Sequence, residues 1–218
     1  MDSGHNAQTE VRHGERTIPQ ESGLPVIGWR VNTGDYLVLA LIATCVMLLH
    51  IATDGRYGFH RDELQVLDDA RRLAWGFVAL PPFTPFIARI SLALFHTSLV
   101  GLRLFSVFAQ GAAIVLTGLM ARELGAKRLA QIVAASAVAI APVPVFGAVV
   151  SQYSSFDLLW WVVIAYLLIR LLKYGNPRWW VAIGAVVGVG MLTKYSMTIS
   201  VAPISVDVYR FPVVPAAP

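Results

Sequence analysis

Two neighbouring carboxylates, Asp62 and Glu63, flanked by His60 and Arg61, form the densest run of reactive side chains in this 218-residue chain. A positioned carboxylate can take the proton of an attacking hydroxyl, and a cation can hold an anionic group as negative charge develops on it. Two more ionisable residues stand in apolar surroundings, Asp157 in SSFDLLWW and Lys194 in GVGMLTKYS. A charged side chain at membrane depth costs roughly 2.5–3.5 kcal/mol on insertion scales, so each is a site candidate by default. One acidic and one basic group facing a common vestibule suit a phosphate-bearing substrate. Each residue also has a plainer reading. Carboxylates at a helix start are favoured by about 0.3–1 kcal/mol without any chemistry. Asp157 can cap a helix after Ser154 and Ser155, and Lys194 can snorkel from the end of a span. His60 has no ligand-spaced neighbours, so no metal is implied. Asp68, Asp69, Arg71 and Arg72 read as an exposed charged face.

The elements that must position these groups are membrane helices. Hydrophobic residues make up 56% of the chain and charged ones 14%, against about 45–50% and about 25% for a typical soluble domain. The excess falls in runs near the roughly 20 residues that cross the hydrocarbon layer. Spans are expected at about 36–52, 102–120, 129–150, 156–172 and 179–195, within a transmembrane domain over 34–196. Pro142 and Pro144 lie near the outer end of the third, and Gly184, Gly188 and Gly190 give the fifth a small-residue packing surface. Residues 1–33 are polar and aperiodic, which predicts a disordered cytoplasmic tail. No signal-peptide pattern appears, so the first span is expected to stay as an anchor. Residues 197–218, cut by four prolines, predict an irregular end, as if the chain stopped within a membrane domain. Cys45 is the sole cysteine, so no internal disulfide forms.

Between the first two spans, residues 53–98 form a polar loop. Leu64, Leu67, Ala70, Ala74 and Phe77 recur there at helical spacing, predicting an amphipathic helix at the membrane surface. Pro81, Pro82 and Pro85 break it, and Phe83–Phe95 reads as a juxtamembrane or re-entrant helix. Arg122, Lys127 and Arg128 cluster after the second span, and Arg170, Lys173 and Arg178 follow the fourth. The positive-inside bias makes both loops cytoplasmic. The loop over 53–98, Asp157 and Lys194 then face the outside together. The net charge of +4, spread over these loops, implies no nucleic-acid partner.

A polyprenyl-phosphate sugar presents its phosphodiester at headgroup level, its chain in lipid and its sugar in water. A transferase for such a donor needs a cation at the phosphate, a carboxylate for the acceptor hydroxyl, and a cavity that limits water. Lys194 or a loop arginine, and Asp62, fit the first two needs. The residues here resemble a known family. The stretch YGFHRDELQVLDDARRLAWGFVALPPFTPFIARISLALF, followed by LRLFSVFAQGAAIVLTGLMARELGAKR, SSFDLLWW and GVGMLTKYS, resembles glycosyltransferase family 39. That family includes the dolichyl-phosphate-mannose-protein mannosyltransferases and the aminoarabinose transferases of lipid A. The resemblance runs from about Tyr36 to Ser196.

What the resemblance implies is an all-α polytopic membrane protein with a GT-C-type helical bundle. Its loop acidic pair falls on Asp62 and Glu63 as catalytic residues, with Asp62 the base. Its second acidic position falls on Asp157 and its phosphate-side lysine on Lys194. His60, Arg61, Asp157 and Lys194 are then the substrate-binding set, with neither metal nor cofactor called for. The expected activity moves mannose or a related sugar, with inversion, from a polyprenyl-phosphate donor to a protein, lipid or glycan acceptor. It would do so at the outer face of the cytoplasmic (inner) membrane. The competing readings are a transporter, which predicts a midplane site and internal repeats, and a remnant without catalysis.

Overall fold

The computed structural model describes residues 33–77, 81–195 and 197. The expected tail and the proline-cut end fall almost wholly outside these residues. The described residues fold into eight α-helices: α1 Thr33–Thr53, α2 Arg61–Arg71, α3 Phe83–Phe95, α4 Leu99–Glu123, α5 Arg128–Ile140, α6 Pro142–Val149, α7 Tyr153–Tyr174 and α8 Arg178–Met191. A short 3-10 turn, Asp54–Arg56, ends α1. The architecture is all-α and polytopic.

Three helices are long and apolar enough to cross a membrane: α1 with the turn after it, α4 and α7. The third expected span is not one straight helix. It breaks at Ala141 into α5 and α6, bent by 53°. Pro142 has no amide donor and pushes the residue before it out of helical geometry; Ala141 accordingly sits at φ −64°, ψ 137°. The fifth expected span also differs. The 14-residue helix α8 stops at Met191, and the amides of Leu192, Thr193 and Lys194 bond back to Val189 and Gly190 in a closing turn.

Helix α4 is the hub, packed on α1, α5, α6 and α7. One core joins Leu39 and Ala43 of α1 to Ile114 of α4 and to Ala135 and Ala139 of α5. Close approach of α1 to α4 rests on glycine: a Cβ at Gly118 would collide with Leu39, and one at Gly111 with Met47. Of the glycines expected to do this in α8, Gly190 packs closely, with Met197 and Trp160 against it, whereas Gly184 and Gly188 face no neighbour within 4 Å. Helix α7 ends at Gly175 in the left-handed region, φ 61°, where a side chain would be strained.

The two ends of the bundle differ in chemistry. At one end Lys173 lies 2.9 Å from Glu123, Arg128 meets Asp35, and Arg122 sits over the Tyr36 ring. This end gathers the basic loops that carry the positive-inside signal. The other end carries α2, α3 and the N-terminal turns of α4 and α7.

Candidate active site

Helix α2 starts where its sequence provides a reciprocal cap. The His60 ring nitrogen Nδ1 accepts from the Asp62 N–H at 3.3 Å, while the Glu63 carboxylate accepts from the His60 N–H at 2.8 Å. Such a pair satisfies amides that the first helical turn leaves unbonded. The expected apolar face of this helix is rotated. Glu63, Val66, Leu67 and Ala70 are the buried positions, Leu64 is exposed, and the helix ends before Ala74. The rotation has an electrostatic cause in α4.

Arg103, one turn inside α4, is 2% exposed and Glu63 is 0% exposed. The guanidinium Nε and Nη2 donate to the two carboxylate oxygens of Glu63, both at 2.7 Å. Nη1 donates to the carbonyl of Asp54 at 2.5 Å and Nη2 to that of Gly58 at 3.1 Å. The Ser151 N–H, just before α7, adds a donor to Glu63 at 3.1 Å. Arg103 therefore ties the 3-10 turn, the loop before α2, the start of α2 and the start of α7 into one buried knot. Burial alone would raise the Glu63 carboxyl, but Arg103 and the two backbone donors outweigh it and hold it below the usual carboxylate range. His50 and Asp54, 3.6 Å apart and both buried, lie against the same knot.

Asp62, beside Glu63, points the other way. Its side chain is 41% exposed, 3.7 Å from His60 and 3.8 Å from Arg61, which is itself 94% exposed. The carboxylate thus has acceptor capacity free for an incoming hydroxyl. Farther along α2, Asp68, Arg71 and Arg72 are exposed as expected. Asp69 is not: one of its oxygens is buried without a partner among the described residues, and burial, with Asp68 beside it, raises its carboxyl.

The second acidic position and the lysine meet directly. Lys194 Nζ lies 3.9 Å from Asp157 Oδ2, with side chains 43% and 16% exposed. Asp157 is the fifth residue of α7, whose N-cap is Gln152, so it is not a helix cap. Lys194 sits in the turn that closes α8, its amide bonded to the Gly190 carbonyl at 2.9 Å. That turn is pinned from two sides. The Phe83 N–H donates to the Leu192 carbonyl at 2.9 Å, and Trp160 Nε1 donates to Thr193 Oγ1 at 2.9 Å. The Phe83 ring stands edge-on to Phe156 and to Trp160, each at 5.5 Å. The prolines before α3 thus deliver Phe83 to the place where the lysine turn is fixed.

An open apolar groove of about 560 Å³, lined by Leu73, Trp75, Pro82, Phe83, Phe86 and Leu192 among others, reaches the turn that carries Lys194 through Leu192. Asp62 and Asp157 share one end of the bundle. Glu63 is bonded to Ser151, two residues before α7, and Asp157 follows Tyr153 by one helical turn, a rise of about 6 Å. The site combines an exposed carboxylate, a carboxylate–ammonium pair and an apolar channel. Among the described residues, no group of three or more His, Cys, Asp or Glu side chains is placed to hold a metal ion.

Arg103, which holds Glu63, belongs to none of the expected site sets. Its signal was present, as a single arginine inside an apolar run, and such a residue needs a buried partner. Comparison with known proteins gives one finding. The family described as dolichyl-phosphate-mannose-protein mannosyltransferase matches residues 79–211, more than half of the chain. The match covers Arg103, Asp157 and Lys194, and begins after Asp62 and Glu63. Neither the curated proteins nor the solved structures yield a match.

Proposed function

The chain belongs to the dolichyl-phosphate-mannose-protein mannosyltransferase family, a family of membrane glycosyltransferases, and we propose that it transfers mannose or a related sugar from a polyprenyl-phosphate donor to an acceptor hydroxyl on a protein, lipid or glycan. The reaction takes place at the outer face of the cytoplasmic membrane. One observation carries this reading: a lysine–carboxylate pair shares an end of the bundle with an exposed carboxylate, and an apolar groove reaches the turn that carries the lysine. The groove suits an isoprenoid chain, and the ammonium suits the phosphate at its end.

In this reading Lys194 neutralises the phosphate as it leaves, and Asp157 fixes the lysine. Asp62 accepts the proton of the acceptor hydroxyl as its oxygen attacks the anomeric carbon. The carbon–oxygen bond to phosphate breaks with inversion, and polyprenyl phosphate departs as the anion. Glu63, with every strong acceptor position occupied by Arg103 and two amides, holds Asp62 in place through the first turn of α2. His60 orients the Asp62 backbone, and Arg61 is free to meet an anionic group of donor or acceptor.

The test is transfer from radiolabelled polyprenyl-phosphate mannose to acceptor in membranes carrying the full chain. Asp62→Asn, expressed and folded at the wild-type level, should lose transfer by about 10²–10⁴-fold, the range for a removed general base. Unchanged transfer would remove Asp62 from this role.

A further inference from the structure

Beneath the Arg103–Glu63 knot, between α4, α6 and α7, lies a cavity of about 10 Å³, lined by Ser106, Gln110, Pro144, Ser154, Ser155 and Leu158 among others. Gln110 is 5% exposed, and both its Nε2 and its Oε1 are buried without a hydrogen-bond partner among the described residues. A buried amide left unpaired is costly, and lipid around a span offers no relief. The neighbouring hydroxyls have spent their protons. Ser106 Oγ donates to Ser151 Oγ at 3.2 Å, and Ser155 Oγ donates to the Gly147 carbonyl at 2.5 Å. Each keeps lone pairs with which it can accept.

A guest in this cavity must therefore accept from Gln110 Nε2 or donate to Oε1, and must also donate to serine oxygens. Water does all three, and the space matches about one water molecule. The cavity also lies against α6, just past the break at Ala141, and broken backbone at membrane depth is tolerated where it lines water or is buried in protein. We propose that this cavity binds a single internal water, held by the Gln110 amide and the Ser106 and Ser155 oxygens. The water continues the polar network that runs from Arg103 and Glu63 through Ser151 and Ser106 toward the broken span. It couples α6 to α4 below the site and needs no donor or acceptor sugar to be present.

Radiolytic footprinting of the full chain in lipid nanodiscs tests this, because an internal water activated by X-rays oxidises the side chains that enclose it. Wild-type protein should show dose-dependent labelling of Leu158 and Pro144. Gln110→Met, which keeps the volume and removes both polar atoms, should reduce that labelling to background while labelling of the exposed residues 55–58 stays constant. Absent labelling in the wild type, or labelling that survives Gln110→Met, would overturn the proposal. A second arm needs no variant that must fold. In water-edited solid-state NMR of wild-type protein in bilayers, the assigned Gln110 side-chain amide should receive magnetisation from water, and a dry amide would overturn the proposal equally.

Discussion

Replacing Arg103 with methionine removes the centre of the knot and leaves Glu63 in place. The carboxylate then keeps only the His60 and Ser151 amides, while the carbonyls of Asp54 and Gly58 lose the guanidinium. Removing one partner of a buried ion pair costs about 3–5 kcal/mol, because the other is left uncompensated. At 1.4 kcal/mol per tenfold, that is roughly a 10²- to 4 × 10³-fold shift in the folding equilibrium. The effect carries a pH signature. In the wild type the Glu63 carboxyl lies below its ordinary range, so its stabilisation is fully present above the unfolded value of about 4.3. It is lost as pH falls through the folded value. In Arg103→Met burial raises the same carboxyl, so the variant is destabilised above that raised value and regains stability as pH falls through it.

The gap between the two proteins should therefore be widest near neutral pH and close on acidification. Thermal unfolding in nanodiscs across about pH 8 to 4 measures it. Arg103→Met combined with Glu63→Met should recover much of the loss, since a buried pair replaced by apolar side chains of similar size is often neutral. Arg103→Lys should fall between, having no planar fork to match the two oxygens. A gap under about 1 kcal/mol, the worth of an exposed pair, or one that does not change with pH, would refute the reasoning.

Lys194→Met should raise the donor KM and lower kcat in the transfer assay, while Lys194→Arg retains binding; equal activity of the Met variant and wild type would count against a phosphate contact. Trp160→Phe removes the hydrogen bond to Thr193 and should cost about 0.5–1.5 kcal/mol in unfolding, with a matching loss of donor affinity as the lysine turn loosens. Gly118→Val forces a side chain into Leu39 and should lower stability by about 1–3 kcal/mol; a neutral result would contradict the close contact of α1 with α4. Gly184→Ala, which meets no neighbour within 4 Å, should leave stability unchanged or raise it, read in the same unfolding experiment.

The sequence was most legible where one physical force dominated. Long uncharged runs can only cross lipid, so α1, α4 and α7 were expected nearly where they stand, and the basic loops were grouped at one end. Counting crossings puts Asp157 and Lys194 on one side, but their 3.9 Å pairing depends on the turn that Phe83 and Trp160 pin. Legibility failed where two forces compete. In α2 the apolar period favoured Leu64 on the buried side, but Arg103 in α4 needs a carboxylate, and satisfying that charge outweighs burying one leucine. Glu63 is drawn inward and Leu64 is turned out.

In the third span the hydrophobic run looks continuous while proline geometry forbids a continuous helix. Pro142 and Pro144 were visible, but a run of apolar residues does not say whether prolines kink a span or divide it. The α8 glycines illustrate the same limit, because a glycine marks close approach only if another helix is present, and sequence does not say where the neighbours lie. Within the site, the exposed Asp62 and buried Glu63 are adjacent and chemically alike. Only the position of Arg103 separates them.

The central claim is that Asp62 and Lys194 face one compartment and share one lipid-borne substrate. Single cysteines introduced by Asp62→Cys and Lys194→Cys, each in a Cys45→Ser background, can be labelled in intact cells with a membrane-impermeant maleimide, with and without added polyprenyl-phosphate mannose. Both positions should react from the outside, and the donor should slow both reactions. Labelling of the two positions from opposite sides of the membrane would contradict the account.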